Sequence, residues 1–275
     1  MTENVNPTSS PVSMVKARLM IRVGYKSLSF SVVDGSCEEG VRYEPYTVKS
    51  GISMAANLRQ AFLDSELLCQ GYTKVGVLLD APSLLVPVEQ FQEEDLPALY
   101  GYTFEKGDSS TLIQKVMPAQ NAVAIFPINK DLKLVIEDHF QEVRYSPVCM
   151  PVWNYFQQRG LQGQNRKLYG YFHDKKLDIF CFDKQRFRFS NSYEVAHGKD
   201  AVYFLLYVWQ QLQFDAHKDE LNIAGDLPNR AETLEQLKRY VRKVFLLNPV
   251  AEFNRAPVTR VKDLPFDLLT YFLRR

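Results

Sequence analysis

Residues 18–34 read RLMIRVGYKSLSFSVVD and residues 167–183 read KLYGYFHDKKLDIFCFD. Laid on one another without a gap, they match at Leu19 and Leu168, Lys26 and Lys175, Leu28 and Leu177, and Asp34 and Asp183. Each is two apolar runs around a polar tip, Gly24-Tyr25-Lys26-Ser27 in the first and His173-Asp174-Lys175-Lys176 in the second. In the first, Leu28, Phe30 and Val32 alternate with Ser27, Ser29 and Ser31, the period of a strand. Both segments therefore predict β-hairpins. The same elements come after each hairpin. A third strand is predicted over 41–48 and over 187–195. Gly51 and Gly198 each open a helix, and a strand ending in Asp comes next at 75–80 and at 221–226. A β-β-β-α-β unit met twice predicts an α/β protein of two similar subdomains facing each other.

The totals exclude several classes. The chain has 275 residues, 46% of them apolar, which is ample for packed cores. Thirty-three basic and 32 acidic residues leave a net charge of +1, too little to draw the whole chain to nucleic acid or to a membrane surface. No run approaches the ~20 apolar residues of a membrane span. The four cysteines, Cys37, Cys69, Cys149 and Cys181, form no CxxC pair, so reduced thiols in a cytoplasmic protein are expected. Residues 1–14 are polar and lack the pattern of a secretory signal, which predicts a disordered tail.

The first subdomain is placed at 15–160 and the second at 166–275, joined by the Gly- and amide-rich stretch GLQGQN at 160–165. Residues 52–68 have helical spacing, with Gly71 as a stop. Pro82 and Pro87 confine any strand between them to a sheet edge. Residues 89–115 read as an insertion or irregular loop. A strand is predicted at 121–127, a helix at 130–140, a strand at 143–147 and a helix at 151–159. Residues 200–214, DAVYFLLYVWQQLQF, are apolar on nearly all sides and predict a helix buried between layers. Residues 231–247 predict an amphipathic helix with Arg239, Arg242 and Lys243 outward. Residues 263–272 predict a terminal helix with Pro265 in its first turn.

This order of elements resembles the actin-like ATPase superfamily of actin, Hsp70 and the sugar kinases over roughly residues 18–247. It also resembles a Bacteroidetes family of unknown function with that fold. The resemblance implies duplicated β-β-β-α-β-α subdomains with nucleotide in the cleft between them. The superfamily's first phosphate loop, Asp-x-Gly, falls on Arg22-Val23-Gly24, where the Gly stands and the Asp is Arg. The second falls on Tyr171-Phe172-His173, with Asp174 next, where neither stands. The Gly-Gly of the adenosine motif falls on Ala224-Gly225-Asp226, where one stands. The missing aspartates would hold Mg²⁺ through water and orient the attacking water. The missing glycines would admit phosphates to backbone N–H groups. The resemblance thus carries the fold without the ATPase chemistry.

The cleft candidates are Arg22, Gly24, Lys26, His173, Asp174, Lys175, Gly225 and Asp226, with no catalytic residue or metal ligand among them. No cofactor is expected, and ATP held by Arg22, Lys26, Lys175 and Lys176 without the usual metal is the alternative. His173-Asp174, at a hairpin tip, reads as a solvated turn. Cys149 and Cys181 lie in apolar runs and read as inert core thiols. Tyr203, Phe204, Tyr207 and Trp209 read as core packing rather than a base-stacking platform. The basic residues of 239–243 with Arg274-Arg275 read as a solvated face. Three function classes stay open: a scaffold with a protein partner, an ATP-binding switch with altered loops, and a nucleic-acid accessory protein, against which the near-neutral charge counts.

Overall fold

The computed structural model describes residues 15–105, 107–161 and 163–273; the predicted tail 1–14 and Arg274-Arg275 lie outside the described residues. The first part of the chain runs β1 (Val15–Val23), β2 (Leu28–Val33), β3 (Val41–Tyr46), α1 (Met54–Asp64) and β4 (Tyr72–Leu79). Then come β5 (Leu84–Pro87), α2 (Leu96–Thr103), β6 (Ser110–Met117), β7 (Ala122–Asn129), α3 (Lys130–His139), β8 (Glu142–Pro147) and α4 (Met150–Gly160). The second part runs β9 (Lys167–His173), β10 (Lys176–Asp183), β11 (Arg186–Glu194), α5 (Gly198–Gln211), β12 (Glu220–Gly225), α6 (Arg230–Tyr240), β13 (Lys243–Leu246), α7 (Pro249–Glu252) and α8 (Phe266–Leu273).

Two five-stranded sheets share one plan, in the orders β3-β2-β1-β4-β8 and β11-β10-β9-β12-β13. In each, the first strand is antiparallel to the second and parallel to the fourth. Ile21 stands opposite Phe30 and Val77, and Gly170 opposite Ile179 and Ile223. The parallel pairings need crossovers, which the helices supply. Local chemistry sets their starts: Ser53 Oγ accepts from the Ala56 N–H at α1, and Asp200 closes a capping box with His197 at α5. Gly71, at φ 73°, takes the left-handed position after the helical segment.

Alternation along β9 divides the packing. Leu168 and Phe172 face a core built with Leu205 and Val208 of α5 and Leu237 of α6. Tyr169 and Tyr171 face the other way, into a core shared with β1, α4 and α8. Phe156 of α4 lies 4.6 Å from Tyr169, and Phe266 of α8 lies 5.9 Å from Tyr171, ring centre to ring centre. The terminal helix thus packs on α4 and touches both sheets, which places its first turn at the cleft.

Three expectations are corrected. Residues 89–115 are not an irregular loop: they hold α2 and β6, and β6 joins β7 and β5 in a third sheet of order β5-β7-β6. The Pro-bounded β5 is an edge strand there, as its composition requires. Residues 231–247 are not one helix. The Val241 N–H closes α6 on Leu237, and β13 then pairs in parallel with β12, Val244 opposite Leu221. The Leu234, Leu237, Val241, Val244 spacing suits a helix, but the extended pairing wins for the last of these. Finally, α5 is not covered all round. Tyr203 is 63% exposed and Tyr207 47%, with stacked rings, so these two tyrosines are surface rather than core.

Candidate functional site

Two turns meet where the sheets face each other. After β1, residues 24–27 reverse the chain, closed by the Gly24 N–H donating to the Ser27 carbonyl at 2.8 Å. The turn after β9 is tighter. Only Asp174 and Lys175 form it, both at positive φ (44° and 62°), the pattern of a two-residue hairpin turn whose twist matches the flanking strands. His173 and Lys176 therefore belong to the strands, paired with each other. The reading of His173 as solvated is corrected on this ground. It lies in register with Tyr169 and Tyr171 on the buried face and is only 5% exposed.

On one side of this tip, Arg22 is the hub of a closed network. Its Nε donates to both carboxylate oxygens of Asp267 at 3.0 and 2.9 Å, Nη1 to Ser27 Oγ at 3.1 Å and Nη2 to Asp174 Oδ2 at 2.7 Å. Ser27 Oγ donates to Asp174 Oδ1, and the Tyr171 hydroxyl donates to Asp267 Oδ2 at 2.7 Å. Arg22 and Asp267 are both buried. Burial alone would lower the Arg22 pKa, but Asp267, Tyr171 and Asp174 outweigh it and hold the guanidinium charged. Burial pushes the Tyr171 hydroxyl up, and Asp267 pushes it further. Gly24 is needed for the close approach: a Cβ there would stand 2.8 Å from Asp174 Oδ2.

On the other side, His173 Nε2 shares Asp178 Oδ2 at 2.6 Å, and the Cys149 thiol donates to the same oxygen at 2.6 Å. Cys149 Sγ lies 3.7 Å from His173 Nε2. Burial would lower the His173 pKa, yet Asp178 and Asp174 reverse the effect and raise it to about 10. Burial opposes ionisation of Asp178, and His173 overcomes it and lowers the pKa. Burial and Asp178 together raise the Cys149 thiol. Lys176 closes this side with a 2.9 Å ion pair to Asp80 Oδ1. Among the described residues, two buried atoms here have no full hydrogen bond: Asp80 Oδ2, and His173 Nδ1, which lies 3.5 Å from Asp174 Oδ2. Cys149 is thus buried as its sequence context implies, but among polar groups; Cys181 is buried in the second core.

A cleft of about 790 Å³ opens at the carboxyl ends of β1, β9 and β12. Of the predicted residues, Arg22, Lys26, His173, Asp174, Gly225 and Asp226 line it. Gly24 sits behind them against Asp174, and Lys175 is exposed at its tip. Gly225, at φ 86°, turns the chain so that the Asp226 N–H donates to the Phe172 carbonyl at 3.1 Å. Sequence reading missed Ser27, Asp80, Tyr171, Asp178 and Asp267 as members of the site. Strand parity was the available signal for Tyr171 and Asp178; nothing local marks Asp267.

Two facing sheets of one plan, with a cleft at their strand ends, define the actin-like fold. A crystal structure of a Bacteroides thetaiotaomicron protein with actin-like ATPase fold and unknown function superposes with a TM-score of 0.81 at 25% identity, covering 94% of this chain and 96% of that one. The PilM–PilN type IV pilus biogenesis complex provides a second likeness, at a TM-score of 0.50 and 12% identity, covering 85% of this chain and 89% of that one. Residues 7–244 match the family described as protein of unknown function (DUF3822), and the chain belongs to that family. No curated protein matches it. Among the described residues, no helix is long and apolar enough to cross a membrane.

Proposed function

We propose that the chain is a non-hydrolysing actin-like protein that serves as a scaffold for another protein. The observation that carries this reading is the Arg22 network. The two turns that would cradle phosphates are tied to each other by Arg22, Ser27 and Asp174, with the guanidinium engaged from within the chain. The rest of the cleft offers little net attraction to a polyphosphate. Outside that network Lys26 and Arg230 are matched by Asp226 and Asp263 around its wall, and the His173 charge by Asp178. The residues present therefore do not fit Mg·ATP: Arg22 stands where a metal-holding carboxylate is needed, and Asp174, a carboxylate, occupies the second turn itself, paired with Arg22. A scaffold also needs free surface, and the stacked pair Tyr203 and Tyr207 on α5 provides an exposed aromatic face of the kind that anchors interfaces. The PilM–PilN complex is a case of the same fold holding a partner chain.

The second reading, an ATP-binding switch with altered loops, is favoured by the volume of the cleft and by Lys26 and Arg230 on its wall. Melting the protein with Mg·ATP, Mg·ADP and metal-free ATP up to millimolar separates the two. Ligand at 100 times its Kd adds about 2.7 kcal/mol, a rise of several degrees. The expected outcome is no rise. A Mg²⁺-dependent rise overturns the scaffold reading, and a rise without metal selects the switch.

A further inference from the structure

We propose that Cys149, His173 and Asp178 form a binding site for a transition-metal ion of the zinc type, with Asp174 orienting the histidine from behind. The three come from separate elements: the residue before α4, the end of β9 and the middle of β10. All are buried, and their ligand atoms lie within 4.8 Å of one another. Zinc binds sulfur at about 2.3 Å and nitrogen or oxygen at about 2.1 Å, so two tetrahedral ligands of these kinds stand about 3.6 Å apart. Cys149 Sγ and His173 Nε2 already stand at 3.7 Å. The Asp178 oxygen, drawn to 2.6 Å from both by shared protons, has to retreat by roughly 1 Å once an ion replaces them.

The second observation is the buried His173 Nδ1, whose contact among the described residues is a long one to Asp174 rather than a full hydrogen bond. A metal-bound histidine needs a carboxylate or carbonyl behind its other nitrogen to fix its tautomer. Asp174 Oδ2 stands 3.5 Å from that nitrogen. A third feature supplies the fourth ligand. Cys149 and Asp178 line a separate cavity of about 220 Å³, from which a water can reach the ion. The proton balance closes. The thiol and the Nε2–H of the imidazolium each release one proton, and the divalent ion replaces both, so the buried charge is unchanged. One sulfur, one nitrogen and one oxygen suit zinc or cobalt; magnesium prefers oxygen and water.

The test is a titration of chelator-stripped full chain with Co²⁺ alone. One equivalent is expected to produce a sulfur-to-cobalt charge-transfer band in the near ultraviolet. Zn²⁺ should bleach it one for one, and millimolar Mg²⁺ should not. Cys149→Ser should abolish the band, and Cys37→Ser/Cys69→Ser should keep it. No band in the native chain, survival of the band in Cys149→Ser, or its loss in the Cys37/Cys69 variant overturns the proposal. Should Cys149→Ser not fold, X-ray absorption of the zinc-loaded native chain decides. One sulfur at about 2.3 Å with nitrogen and oxygen neighbours supports the site, and no sulfur or two sulfurs overturns it.

Discussion

Asp174 and His173 are neighbours in the chain, yet the regions they serve differ in how completely their polar groups are satisfied. Around Arg22, the buried guanidinium has acceptors on three side chains from different elements. Around His173, among the described residues, a buried ring nitrogen has only a 3.5 Å contact with Asp174 and a carboxylate oxygen of Asp80 has no hydrogen bond. A satisfied polar network fixes one geometry and leaves nothing for a ligand to do; a half-satisfied one is costly and marks a place where a ligand restores the balance. The first region thus reads as a clasp between the sheets and the second as a site.

The comparison breaks most readily at Asp267. Removing it leaves the buried Arg22 Nε and the Tyr171 hydroxyl without their acceptor. Loss of one partner of a buried pair costs about 3–5 kcal/mol. Asp267→Ala should therefore lower the melting temperature by roughly 6–20 °C. Combining Arg22→Met with Asp267→Leu removes both charges, and a double-mutant cycle should recover roughly 0.5–3 kcal/mol. A loss below about 1 kcal/mol in Asp267→Ala would mean that the clasp holds nothing together.

The two regions also differ in the pH at which they weaken. In metal-free protein His173 has its pKa raised from 6.5 to about 10. A group with a raised folded pKa stabilises fully below its unfolded value, and that stability drains as pH rises from 6.5 through 10. Asp178, Asp174, Asp80 and Cys149 face the ring. The two aspartates with lowered pKa values, Asp174 and Asp178, keep their contribution above the ordinary carboxylate value near 3.8 and lose it only in acid. Cys149 adds to the alkaline loss only above 9, its ordinary value. Arg22 does not titrate in this range. Urea midpoints in chelator should therefore fall between pH 6.5 and 9 by the equivalent of roughly 1–3 kcal/mol, and His173→Gln should flatten the profile. A flat native profile would show that the site holds no proton there.

Strand parity explains how much of this is legible in the sequence. The matched hairpins, each with its third strand, helix and parallel strand, specify the sheet plan, because alternation and turn chemistry are local. The turns that carry Arg22, His173 and Asp174 can be found in the same way. Their logic cannot, because the partners are remote: Asp267 lies 245 residues from Arg22, on a terminal helix whose sequence shows only an apolar stripe. His173 misleads because a tip of four polar residues hides a two-residue turn, and counting back from Asp174 returns the histidine to the buried face. On α5 the tyrosines read as apolar, though a tyrosine keeps a polar tip that tolerates water. Residues 231–247 show that a helical period can run on through a short strand when both fit the same apolar residues.

The smallest expected effect sharpens the contrast most. Cys149→Ala removes one hydrogen bond to Asp178 and a sulfur atom from a site that already borders a cavity. His173 remains to hold the carboxylate. One such bond contributes about 1 kcal/mol, so the melting temperature should fall by only roughly 2–4 °C, well short of Asp267→Ala. A residue that matters little to the metal-free fold and wholly to metal binding is a ligand; a residue that matters equally to both is packing. Should Cys149→Ala destabilise as strongly as Asp267→Ala, the cluster would be a second clasp, and the difference between the two sides of the turn would vanish.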